Sequence, residues 1–219
     1  MINRRQAIFG AFCADDRLCL TIQILWYVMA GARERKDPPM ARLPEIDEER
    51  LTGEQKEIYN RIKRVRGQVR GPFAVWLRNA ELANHTLELQ DLFASRVKLD
   101  RRLVQLMILV SARLSSAQFA WFVHEPHARD QGISSEIIEA VRERRTPLFA
   151  REDERFVYDI TIELNTTSTV SDLTFRRGVE LLGEQKLVEL VSSIGFYAMV
   201  AMTLNAFEVP VPGGKKPLV

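Results

Sequence analysis

Only three side chains in this sequence, His85, His124 and His127, have an unperturbed proton affinity near neutrality. A neutral imidazole with pKa near about 6.5 takes up and releases protons at physiological pH, as a general acid or base must. His124 stands in the run Gln118-Phe-Ala-Trp-Phe-Val-His-Glu-Pro-His-Ala128, with Ala120 and Ala128 one helical turn away on either side. Such small neighbours leave room beside the ring. Pro126 has no N–H to offer the carbonyl of Phe122, so a bend is expected there, aiming the ring toward a cavity. The plainer alternative is a hydrogen-bonded structural histidine beside a tolerated irregularity near a helix end.

His124 and His127 are three residues apart and can share a helical face, which invites a metal with Glu125 or Glu88 as oxygen ligand. No paired motif of the His-Glu-x-x-His kind supports it, so no protein-bound metal is expected and His127 is assigned a supporting or exposed position. Cys13 and Cys19 both lie near the start. The rest of the chain therefore has no thiol for a disulfide framework, a thiolate zinc site or a redox pair.

Between Ile58 and Ala80 stand Arg61, Lys63, Arg64, Arg66, Arg70 and Arg78 with no acidic residue among them. Such a run is commonly a solvated helix face. It also suits a positive rim that draws in small carboxylates, with Arg70 or Arg78 at the mouth of the site. The net charge of the chain is only +2, which gives no general reason to expect a nucleic-acid or membrane-surface partner. Trp76 and Trp121 belong to the core or wall an aromatic pocket.

The elements that must hold these residues are helices. The chain is 46% hydrophobic and 27% charged, the balance of a globular protein able to bury a sizeable core. From Met40 onward apolar residues recur at helical spacing and no stretch alternates as a strand would, so the fold class is all-α. Thr52 with Gln55 has the form of a capping box, opening a helix through Ile58, Ile62 and Val65 that stops near Gly67. Gly71-Pro72 opens the next segment. Leu82, Leu89, Leu92, Phe93 and Val97 outline a second core-facing helix, and Leu103, Leu106, Met107, Val110 and Leu114 a third. The His124 helix runs from about Ser116 to Gln131 and ends at Gly132. Ser134 or Ser135 caps a short helix, and residues 151–165 form another through Phe156, Val157, Ile160 and Leu164. Ser171 caps the next, which Gly183 terminates.

The last helix, from Glu184 to about Phe207, is apolar around most of its circumference and must be buried on more than one side. In a domain this small a neighbouring subunit is the economical cover, which predicts a homo-oligomer with Tyr197 or Met199 as outward positions. Residues 1–39 differ in composition. Their apolar stretch Leu18–Ala32 is too short to span a bilayer comfortably, and Asp15 and Asp16 stand where an export signal is positive. They are read as an extension, either an early start before Met40 or a signal-like segment, the helical domain as residues 40–212, and residues 213–219 as an irregular tail.

The segments Arg102–Arg113, Gln118–Ala128, Gly132-Ile-Ser, Gly183-Glu184-Gln185 and Asn205-Ala-Phe-Glu-Val-Pro210 together resemble the carboxymuconolactone decarboxylase-like family, within the alkylhydroperoxidase D-like superfamily. The resemblance covers most of residues 72–212. It implies an orthogonal bundle of helices, an oligomer (dimer, trimer or hexamer), no organic cofactor and a functional role for His124. Two departures stand out. Where many members carry acidic residues, this chain has Gln105 and Ala120, and it lacks the Cys-x-x-Cys pair of the peroxide-reducing branch.

From this follow three expectations about function. The first is a cofactor-free carbon–carbon lyase, acting on a small carboxylated or lactone compound of the kind met in aromatic catabolism, in the cytoplasm. His124 is the proton donor or acceptor, its protonated form able to supply a proton to an enolate-like intermediate, and Gln105, Trp121, His127, Arg70 and Arg78 contact the substrate. The second is a catalytically silent oligomer that binds a small molecule or a partner. The third, peroxide reduction, is disfavoured by the missing thiols.

Overall fold

In the computed structural model the described residues are 41–218. The extension 1–39, its two cysteines and the expected start at Met40 lie outside them. Every regular element described is helical. Helix α1 (Gly53–Arg66) opens with the expected capping box: Gln55 N–H donates to Thr52 Oγ1 at 3.3 Å and Thr52 N–H to Gln55 Oε1 at 3.1 Å. It ends at Gly67, whose φ of 75° suits a residue without a Cβ. Helix α2 (Pro72–Trp76) follows the turn at Gly71, and α3 (Ala80–Asp91) runs on into a wider turn over Leu92–Arg96.

The centre of the fold is α4 (Arg101–Leu114), which packs against α5 (Gln118–Asp130), α6 (Ser135–Arg142), α7 (Glu152–Thr167) and α9 (Glu184–Ala206). Leu106, Met107, Ile108 and Leu109 of α4 are all but inaccessible, which explains an apolar run too dense for a one-sided amphipathic helix. Each side chain so buried contributes roughly 1.5–3 kcal/mol of transfer free energy. Arg102 ties the start of α4 to that of α7 by pairing with Asp153 at 2.8 Å and with buried Glu154. Helix α8 (Asp172–Leu182) presses close to α7 and α9 at Gly178, where a Cβ would come within 2.7 Å of Phe156 and 2.8 Å of Leu187.

Several expectations about faces change in three dimensions. In α3 the inward residues are Ala83, Thr86 and Leu87, while Leu82 and Leu89 are each 42% exposed. Leucines on both sides of that helix satisfy a helical period, and only packing against α1 selects the side. Val65 likewise turns outward. The tail is not loose at its end: Leu218 is buried, its N–H donates to Gln118 Oε1 at 2.9 Å, and Arg142 donates to the carbonyl of Pro217 at 2.8 Å. Helix α5 continues through Pro126 to Asp130 without a break.

Among the described residues α9 is the one helix long and apolar enough to cross a membrane, and half of its apolar window is buried inside the fold. Leu190, Ile194, Phe196 and Tyr197 point inward. The outward positions are therefore not Tyr197 and Met199, of which the first is buried and the second half-buried, but Val188, Val191, Gly195 and Met202.

Candidate functional site

A cavity of about 210 Å³ lies where α1, α3, α5 and α9 meet the turn before α2, and His124 is one of its walls. Each element delivers its part for a local reason. The end of α1 supplies Arg66, held by a 2.8 Å ion pair to Asp91 at the end of α3. Gly71, with φ of 64°, lets the next turn lie against Phe119: a Cβ there would sit 2.5 Å from the ring. That approach brings Pro72 and Phe73 to the cavity wall. Ala120, one turn before His124 on α5, leaves the ring uncovered, and α9 closes the space with Tyr197, Val200 and Leu204.

His124 Nδ1 lies 3.0 Å from Gln105 Oε1. With the carboxamide oxygen turned to the ring, Nδ1 carries the proton and donates, and Nε2 keeps its lone pair. Burial pushes the imidazole from 6.5 down to about 3, and the neighbouring His127 and Arg66 act in the same direction by disfavouring another positive charge. The ring is thus a neutral base at physiological pH. Of the proton donor and acceptor roles expected of His124, the lowered value favours the acceptor in the resting ring. The rings of His124 and His127 are 6.1 Å apart, and that of Tyr197 meets His124 edge to face at 5.5 Å. Burial raises the Tyr197 phenol to about 12, so it keeps its proton.

Of the residues predicted to contact substrate, the structure gathers His124, His127 and Arg70 around one cavity. Arg70 is exposed at the rim, next to Gln68, and forms no ion pair among the described residues. Gln105 is near but sits behind the imidazole, fixing its tautomer instead of facing the cavity. Trp121 and Arg78 are elsewhere. The Trp121 indole is fully buried on another face of α5, donating to Glu125 at 2.9 Å beneath the Arg142 guanidinium, and Arg78 donates to the backbone carbonyls of Ala74 and Pro44. Although Trp121 stands only three residues before His124, its indole is committed to Glu125 and Arg142 and does not border the cavity.

Sequence reasoning missed Tyr197, Gln90 and the particular place of Arg66. The available signal was a hydroxyl-bearing ring buried in an otherwise apolar helix. No group of three His, Cys, Asp or Glu side chains among the described residues is arranged to hold a metal ion. A larger cavity, about 370 Å³ between α7, α8 and α9, is walled by Ile160, Val170, Phe175, Val179 and Leu187 with Glu184 at its edge. Among the described residues its lining has no basic side chain.

No protein-family model matches the chain, and no curated protein matches it by sequence. Solved structures do match in shape. An uncharacterized peroxidase-related protein from Silicibacter sp. TM1040 superposes with a TM-score of 0.63 at 17% identity, covering 82% of this chain and 94% of that one. A second uncharacterized peroxidase-related protein, from Ralstonia eutropha JMP134 and described as an alkylhydroperoxidase AhpD core, gives 0.66 at 12% identity over 80% and 94%. A protein of unknown function from Agrobacterium tumefaciens gives 0.54 at 17% identity over 62% and 93%. The chain has the all-helical fold of the alkylhydroperoxidase core, the fold its sequence resemblance implied.

Proposed function

We propose that the cavity beside His124 is an active site for small carboxylated or lactone compounds, in which His124 acts first as a proton acceptor. The observation that carries this reading is the Gln105–His124 contact at 3.0 Å, which leaves Nε2 of an uncharged ring as the available base on the cavity wall. Arg70 at the rim, with no carboxylate partner among the described residues, attracts the acid group of such a compound. A proton removed by Nε2 returns to the product from the same nitrogen, so chemistry of this kind needs no second acid. Replacing His124 by Gln or Ala should abolish turnover of a small carboxylated lactone and leave the fold intact, with His127→Ala as the neighbouring control. Activity that survives in both variants, or falls only in step with unfolding, refutes the assignment.

One observation favours the silent-binding alternative. Among the described residues the cavity wall carries no carboxylate, Ala120 and Gln105 standing where the resembling family has acids. Because Ala120 faces the cavity one turn from His124, Ala120→Glu returns an acid to the site; gain of decarboxylation in that variant favours the enzyme reading, and its absence the binding one. Peroxide reduction by a thiol pair has no support within residues 41–218, which hold no cysteine. The partner in assembly is proposed to be a second copy of the chain, lying on the outward stripe of α9.

A further inference from the structure

Tyr197 is 4% exposed, borders the cavity beside His124, and its hydroxyl makes no hydrogen bond among the described residues. An O–H that has no protein partner on the wall of a cavity can donate to whatever occupies that cavity. It is not alone. The Gln90 Oε1 and Arg66 Nε atoms are buried and unbonded, and both residues border the same cavity. Three polar side chains from three helices thus leave hydrogen-bonding capacity unused around one space of about 210 Å³, large enough for a single small ring or a short acid.

We propose that Tyr197 is a second functional residue of this site, donating its O–H hydrogen bond to the carbonyl oxygen of a small, enolisable ligand. This rests on the reading of His124 as the base. When Nε2 takes a proton from the carbon next to that carbonyl, the C–H bond breaks and an N–H bond forms. The released pair moves into the bond between the two carbons, and the carbonyl π pair moves onto oxygen. The oxygen then carries the charge that the Tyr197 O–H faces. The phenol is held well above its ordinary proton affinity by burial, so it donates a hydrogen bond without surrendering the proton. The ligand class is accordingly a planar carbonyl acid or lactone, not a purely apolar ring.

The test uses 4-nitrophenolate, a planar conjugated oxyanion whose absorbance reports its hydrogen bonding, with nitrobenzene as the ring lacking that oxygen. Wild type should bind the phenolate with a shifted spectrum. Tyr197→Phe should bind it at least tenfold more weakly, bind nitrobenzene as wild type does, and melt at a similar temperature, since the hydroxyl it removes has no protein partner among the described residues. His124→Gln should still bind the phenolate, because its lost lone pair plays no part in holding an oxyanion. Equal phenolate affinity in wild type and Tyr197→Phe, no binding by wild type, or weaker binding that merely accompanies a lower melting temperature would each overturn the proposal. If phenolate binding depends on Tyr197 but no carbonyl acid is turned over, the base role of His124 fails while the donor role stands.

Discussion

Acidification should weaken this fold by an amount traceable to one side chain. An unfolded chain holds His124 at its ordinary pKa of 6.5, whereas the folded chain holds it near 3. Between those values the unfolded state binds more protons, so stability is fully present above about pH 6.5 and falls as pH drops toward 3. Moving from pH 7 to pH 5 lets the unfolded imidazole gain about 2 kcal/mol of protonation free energy while the folded ring stays neutral. That figure barely depends on the folded value so long as it lies well below 5, which makes it a fair test of a ring in contact with a cavity. The measurement is urea denaturation of wild type and His124→Gln at several values between pH 5 and 7.5. Wild type should lose about 2 kcal/mol more than the variant across this range, because the glutamine does not titrate and all other groups cancel in the comparison. Parallel curves would show that His124 protonates normally in the folded protein. The neutral-base reading would then be wrong.

Other consequences follow from the same structure. Turnover that depends on His124 should be flat from about pH 5 to 8, without the limb near 6.5 of an unperturbed histidine; a limb there in the pH dependence of kcat/KM counts against the depressed value. Val188→Glu or Met202→Glu on the outward stripe of α9, 65% and 71% exposed, should convert an oligomer to monomer in sedimentation without unfolding it, and an unchanged assembly would place the interface elsewhere. Gly178→Val should destabilise by roughly 1–3 kcal/mol or more, since its Cβ would press on Phe156 and Leu187 at 2.7 and 2.8 Å; an unaltered melting temperature would show that α8 has room to move. A chain begun at Met40 should retain its helicity, because the residues of the cap on α1 and of the core around α4 all follow Met40; loss of circular-dichroism signal would assign residues 1–39 to the fold.

The sequence by itself determined the helices and their ends. Thr52 with Gln55, Gly67, Gly132, Ser134, Ser171 and Gly183 mark caps through local hydrogen bonds or a backbone conformation set within a few residues, and such signals do not need the rest of the molecule. The resemblance carried by residues 102–128 pointed to the fold and to His124 for the same reason: it is a linear pattern. Which side of a helix faces inward was a different matter. Leu82 and Leu89 obey the period of α3 as well as Ala83 and Leu87 do, and Tyr197 is as apolar in context as Met202, so only the neighbouring helices decide which is buried. The site was legible in part. Arg70 and His127 were named, but Trp121 and Arg78 turned to other faces, and Gln105 was drawn to the ring rather than the cavity. Tyr197, Gln90 and Arg66 lie far apart in the chain and meet only when α9, α3 and α1 pack around α5. The protonation state of His124 was beyond the sequence too, because a pKa is set by burial and by nearby charges, which exist only once the helices are assembled.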